Sequence, residues 1–153
     1  MSTSFVDRIR PLVADLTLGE RLFVVALLES GSAERYRAWA TEALDPELAR
    51  GLRGCAERED EIAKVVRAHF SESLRPPANF DSLAKTIQAE VETVFGAKMR
   101  HEQYRIQAEA ERGGEQLWKD LAAAEENEET NRVLLKCAEL EAASAEYLET
   151  ITS

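Results

Sequence analysis

The chain has 153 residues, with 29 Asp plus Glu against 19 Lys plus Arg, 44% hydrophobic residues, 7 Gly and 4 Pro. That describes one globular domain with a real core and too little turn chemistry for a many-stranded β fold. A formal net charge of −10 with no Lys/Arg cluster argues against nucleic-acid binding, and 2 Cys make neither a disulfide scaffold nor a four-cysteine metal knot.

Charges at Asp7, Arg8 and Arg10 interrupt the N-terminus before a signal-peptide core forms, so the cytoplasm is the expected compartment. The longest apolar run, residues 22–28, is far too short to span a bilayer, and no membrane association is expected. Thr17-Leu18-Gly19-Glu20 has the form of a capping box, which satisfies free N–H groups at a helix start and opens a long helix reaching about residue 44. Asp45-Pro46 places an N-cap and a first-turn proline at the head of a second helix, running to about residue 70. The double proline Pro76-Pro77 cannot lie inside a helix and marks a connector. Leu83, Ile87, Val91 and Val94 then recur at helical spacing over 81–95, and Gly96 is a weak point. A third long helix is expected from 97 to about 126 and a fourth, after a polar turn, to about 151. The expected architecture is all-α: a single-domain four-helix bundle over 1–153, with hairpins at 17–70 and 97–151 and a helical crossover at 71–96.

Sliding the sequence by 82 positions pairs Glu29 with Glu111, Tyr36 with Trp118, Leu52 with Leu134, Cys55-Ala56-Glu57 with Cys137-Ala138-Glu139 and Glu59 with Glu141. Each hairpin thereby carries two glutamates 30 residues apart. Leu22, Val25, Ala26, Ala33 and Tyr36 place Glu29 on an apolar stripe; Leu52, Cys55, Ile62 and Val66 do the same for Glu59. Tyr104, Ala108 and Trp118 bracket Glu111, and Leu134, Cys137 and Leu148 bracket Glu141. Four ionised carboxylates in an apolar bundle repel one another and lose hydration, so cations, donors or protons must compensate.

On these residues the chain resembles the ferritin-like superfamily, in particular its rubrerythrin-like branch. The resemblance implies a mid-helix Glu followed seven residues later by an aromatic (Glu29 with Tyr36, Glu111 with Trp118) and a second-helix E-x-x-H, together holding two iron or manganese ions. The chain departs from that pattern at both histidines: Ile62 follows Glu59 and Ser144 follows Glu141. His69 and His101 each stand ten residues from the nearest of these glutamates, about 15 Å along a helix, and are not expected to reach them. A nitrogen-ligated di-iron centre and its oxygen or peroxide chemistry therefore do not carry over. The four-cysteine module of true rubrerythrins is also missing.

Three readings of the glutamates stay open. Glu29, Glu59, Glu111 and Glu141 hold a hard cation such as Fe²⁺, Mn²⁺ or Mg²⁺ through oxygen alone. Alternatively they share protons with one another and hydrogen bonds with Tyr36, Tyr104, Gln107, Trp118 or Ser144. In the third reading some of them face solvent. Cys55 and Cys137, each one turn before a core Glu, are read as small buried hydrophobes, the alternative being a mixed Cys/Glu site that favours zinc. About 12 Å of helical rise separates them in an antiparallel pair, too far for a disulfide. Trp39, with Phe70, Phe80 and the connector, is a candidate self-association surface, the alternative being a connector that simply packs along the bundle. The expected function is a non-catalytic binding or structural module with a degenerate dimetal site and no cofactor, working as a homodimer. The alternative is a carboxylate-only Fe/Mn protein with a storage or redox role.

Overall fold

The computed structural model describes residues 4–153, six α-helices with no strand among them. They are α1 (Phe5–Val13), α2 (Leu18–Glu42), α3 (Pro46–His69), α4 (Phe80–Phe95), α5 (Arg100–Ala123) and α6 (Glu128–Thr152). Met1, Ser2 and Thr3 lie outside the described residues, and with them part of the expectation about the N-terminus. No described helix is long and apolar enough to cross a membrane.

The expected boundaries hold to within a few residues because the N-caps act as read, although of the two bonds of the capping box only the one accepted by Thr17 is made among the described residues. Thr17 Oγ1 accepts from the Glu20 N–H at 3.3 Å, and the Asp45 carboxylate from the Glu47 N–H at 3.0 Å ahead of Pro46. At the head of α6, the Asn127 side chain accepts from the Thr130 N–H at 2.9 Å.

Cross-helix contacts set the topology. Tyr147 reaches the Leu48 carbonyl, Arg58 reaches Ser144, Lys136 pairs with Glu61 and His69 with Thr130, so α6 runs antiparallel to α3. Arg100 pairs with Glu42, and Tyr36 and Arg35 reach Glu111 and Gln107, so α5 runs antiparallel to α2. With the α2/α3 and α5/α6 hairpins, the order is up, down, down, up. Within each hairpin the backbones pack closely, as they do between α3 and α6, whereas α2 and α5 meet mainly through long side chains. Two apolar clusters fill the bundle. One holds Tyr36, Trp39, Leu52, Cys55, Ala108 and Leu148; the other holds Leu22, Ile62, Val66, Trp118, Leu134 and Cys137.

Two expectations are corrected here. First, α1 is an additional helix, capped by Ser4, which packs against α4 and α5. It is anchored by Arg8 to Glu90 at 2.9 Å and by an edge-on contact of Phe5 with Phe95. Second, Trp39 is only 4% exposed and contributes nothing to a surface. Phe95 of α4 and Tyr104 of α5 close over its ring, and Arg100 lies above it at 5.7 Å. Phe70 and Phe80 are half-buried, Phe80 edge-on to Phe23 at 5.4 Å. The connector helix α4 packs along the bundle, sending Leu83 and Ile87 against Ile9 and Val24.

Gly19, at the start of α2, is required by a close approach. A Cβ there would stand 2.0 Å from the Ser73 carbonyl oxygen, a backbone atom that cannot swing aside. Gly19→Ala is expected to destabilise the protein by about 1 to 3 kcal/mol, read as a lower urea midpoint with an unchanged slope.

Candidate metal centre

Between the two apolar clusters lies a layer of carboxyl groups. Glu29 of α2, Glu59 of α3, Glu111 of α5 and Glu141 of α6 are all buried, Glu29 at 9% and the others at 2% or less. All four expected site residues thus lie inside the bundle, and none is on a solvent face. They divide into three and one. Glu29, Glu59 and Glu141 each offer a ligand atom, all within 4.8 Å of one another. Glu111 stands outside that group of three but beside it: its Oε1 accepts from the Tyr36 hydroxyl and from Gln107 Nε2, both at 2.7 Å, while its carboxyl neighbours those of Glu59 and Glu141.

The other donors that the sequence suggested fall into place unequally. Trp118 Nε1 donates to Glu141 Oε1 at 3.1 Å, and the Ser144 hydroxyl to Glu59 Oε1 at 3.4 Å. Tyr104 is not a partner; its ring packs on Trp39. Tyr36 and Trp118, matched by the offset of 82, behave differently. Tyr36 crosses to the other hairpin, whereas Trp118 stays within its own.

No ion pair reaches these four carboxyls among the described residues. Arg35 donates to Gln107 Oε1 at 3.1 Å, and Arg58 to the Ser144 hydroxyl at 3.0 Å, so each guanidinium stops one residue short. The electrostatic consequence is direct. Burial pushes Glu29 up to about 7, hydrogen bonding to Glu59 opposing the rise and the charge of Glu111 adding to it. Burial, then the charges of Glu111 and Glu29, lifts Glu59 well above the carboxylate range. Glu141 is lifted likewise, by burial and then by Glu29 and Glu111. Burial of the Tyr36 ring, with Glu111 beside it, keeps its hydroxyl protonated as a donor.

The cysteines join the apolar clusters on either side of the layer and are free thiols. Burial raises both, Cys137 to about 12, and neither belongs to the three-carboxylate group, so a mixed Cys/Glu site is not formed among the described residues. His69 bonds Thr130 near the ends of α3 and α6, and His101 is exposed.

Two residues that shape the site were not singled out in the sequence. A Cβ on Gly114 would lie 2.4 Å from Glu141 Oε1, and one on Gly113 would lie 2.4 Å from Val6 Cγ2. The signal was available: two adjacent glycines inside a helix cost roughly 1 kcal/mol each relative to alanine and imply a close approach.

No protein-family model, curated protein or solved structure matches the chain.

Proposed function

We propose that the chain is a ferritin-like bundle with a degenerate dimetal centre, acting as a non-catalytic binding module that retains one divalent-cation site at Glu29, Glu59 and Glu141. The observation that carries this reading is the convergence of three carboxyl groups within 4.8 Å. Hard cations take oxygen ligands at about 2.0 to 2.6 Å, so ligand atoms around one ion lie no more than about 4 to 5 Å apart, a spacing that these three carboxyls already approach. One ion is proposed and not two because Glu111 is not in the group of three and its Oε1 is taken by Tyr36 and Gln107. Up-down-down-up helix order supports the family reading. An all-oxygen set suits Mn²⁺, Fe²⁺ or Mg²⁺, and the cation must displace the protons that the buried carboxyls hold. The raised carboxyls favour a second reading, a metal-free core in which protons alone answer the charge.

Titration of chelator-treated protein with Mn²⁺ at pH 7.5, followed calorimetrically and by the EPR signal of free Mn²⁺, separates the two. One Mn²⁺ per chain is expected. The double substitution Glu59→Gln/Glu141→Gln should weaken it by more than about a hundredfold, beyond the usual effect of losing a group behind a ligand. Absence of binding in the unaltered protein leaves the proton-sharing core as the reading.

A further inference from the structure

A cavity of about 350 Å³ lies between α2 and α5 under α1. All four core glutamates line it, and Ile9, Val13, Val24, Leu28 and Leu117 supply apolar wall. Along α2 it extends from Ser32 to Arg21, eleven residues or about 16 Å of helix, with Glu29 near one end. A bare divalent ion has no use for such a space, whose volume falls at the lower end of small-molecule pockets.

Its chemistry is one-sided at the glutamate end. Glu29 is nine-tenths buried and lines the cavity beside the carboxyls of Glu59 and Glu141, and among the described residues no amide, hydroxyl, indole or guanidinium donor reaches it. Amide, hydroxyl and indole donors go to Glu111, Glu141 and Glu59, and the guanidinium groups of Arg35 and Arg58 stop at Gln107 and Ser144. Three carboxyls converging without a cation match the three N–H donors of a primary ammonium, which are compact and positively charged. The apolar walls match a hydrocarbon arm. Arg10 and Arg21 line the cavity as well. Arg10 pairs with Asp7, and Arg21 Nη2 donates to the Ala14 and Leu16 carbonyls while its Nε has no partner, which makes an anion the natural control.

We propose that this cavity binds a small organic cation, a primary amine whose ammonium sits among Glu29, Glu59 and Glu141 and whose hydrocarbon arm runs along Ile9, Val24 and Leu28. The amine site does not depend on the metal reading. It uses the same carboxyls, so a divalent ion and the amine exclude each other.

Calorimetric titration of chelator-treated protein with hexylamine, hexanol and hexanoate tests this. Hexylamine should bind at least about tenfold more tightly than hexanol, and hexanoate should give no heat. Glu29→Gln should weaken hexylamine by at least about tenfold, and Ala110→Phe, which fills the cavity from α5, should abolish it. Circular dichroism confirms that each variant is folded. Hexanoate binding as tightly as hexylamine, or hexylamine binding unchanged by Glu29→Gln, overturns the proposal. A separate Mn²⁺ titration judges the metal reading by itself. Where Mn²⁺ binds, its saturation should suppress hexylamine, and simultaneous occupancy would overturn the shared site.

Discussion

Metal-free protein is expected to melt roughly 5 to 10 °C lower at pH 8 than at pH 5. The cause is Glu29, whose carboxyl stands near 7 in the folded chain against 4.5 when unperturbed. Between those values the folded state holds a proton that the unfolded state has released, so stability falls as pH rises. The contribution is fully present below 4.5 and is lost as pH passes through 7. At about 1.36 kcal/mol per unit, it amounts to roughly 2 to 3 kcal/mol over this range. For a domain of this size each kcal/mol moves the midpoint by about 2 to 4 °C. Glu59 and Glu141, lifted further by burial, act in the same direction. Thermal scans followed by circular dichroism, in chelator and at fixed ionic strength, give the profile. Glu29→Gln should make it shallower without removing it, because the amide keeps the shape and cannot ionise while Glu59 and Glu141 still act. A midpoint that does not change from pH 5 to pH 8 in the unaltered chain would show that this carboxyl is ionised in the folded protein. Saturating Mn²⁺ should oppose the fall, since the cation binds the ionised groups.

Restoring the missing imidazoles is expected to convert the site. In Ile62→His/Ser144→His, Co²⁺ or Fe²⁺ affinity should rise by at least about tenfold over the unaltered protein, and the stoichiometry from one ion per chain to two. Ser144 is well placed for this: its hydroxyl lies 3.4 Å from Glu59 Oε1, so an imidazole there enters the carboxyl layer. Ile62 is its counterpart at the offset of 82, fully buried against the Trp118 and Cys137 cluster. Without metal each single histidine buries a polar ring and should destabilise by about 1 to 3 kcal/mol; metal should restore that loss. A double variant that is folded but binds no better than the parent would reject the ferritin-like register. Co²⁺ absorption and metal analysis of the desalted protein read both quantities.

Most of the long helices and the carboxyl layer were legible in the sequence, for a physical reason. Caps at Thr17 and Asp45 and proline at position 46 act over a few residues, and the burial of Glu29, Glu59, Glu111 and Glu141 follows from their place on apolar stripes. What depends on distant partners was not legible. Trp39 lies off the stripe of α2 as read alone, yet Phe95 and Tyr104, far along the chain, cover it. Helix α1 has nine residues, includes Pro11 and takes its place by packing on α4 and α5. The division of four glutamates into three and one was equally out of reach. It turns on which side chains Tyr36, Gln107 and Trp118 reach, and equal spacing in the two hairpins does not fix that.

The paired glycines of α5 have a mechanical consequence. Gly113 receives Val6 from the helix above the cavity, and Gly114 receives the Glu141 carboxyl from within the bundle. Cover and carboxyl layer therefore bear on adjacent residues of one helical turn, at the point where α5 has the least intrinsic helical preference. A side chain at either position would push out the cover or the carboxyl, so a single turn of α5 carries both only because two successive residues there have no Cβ.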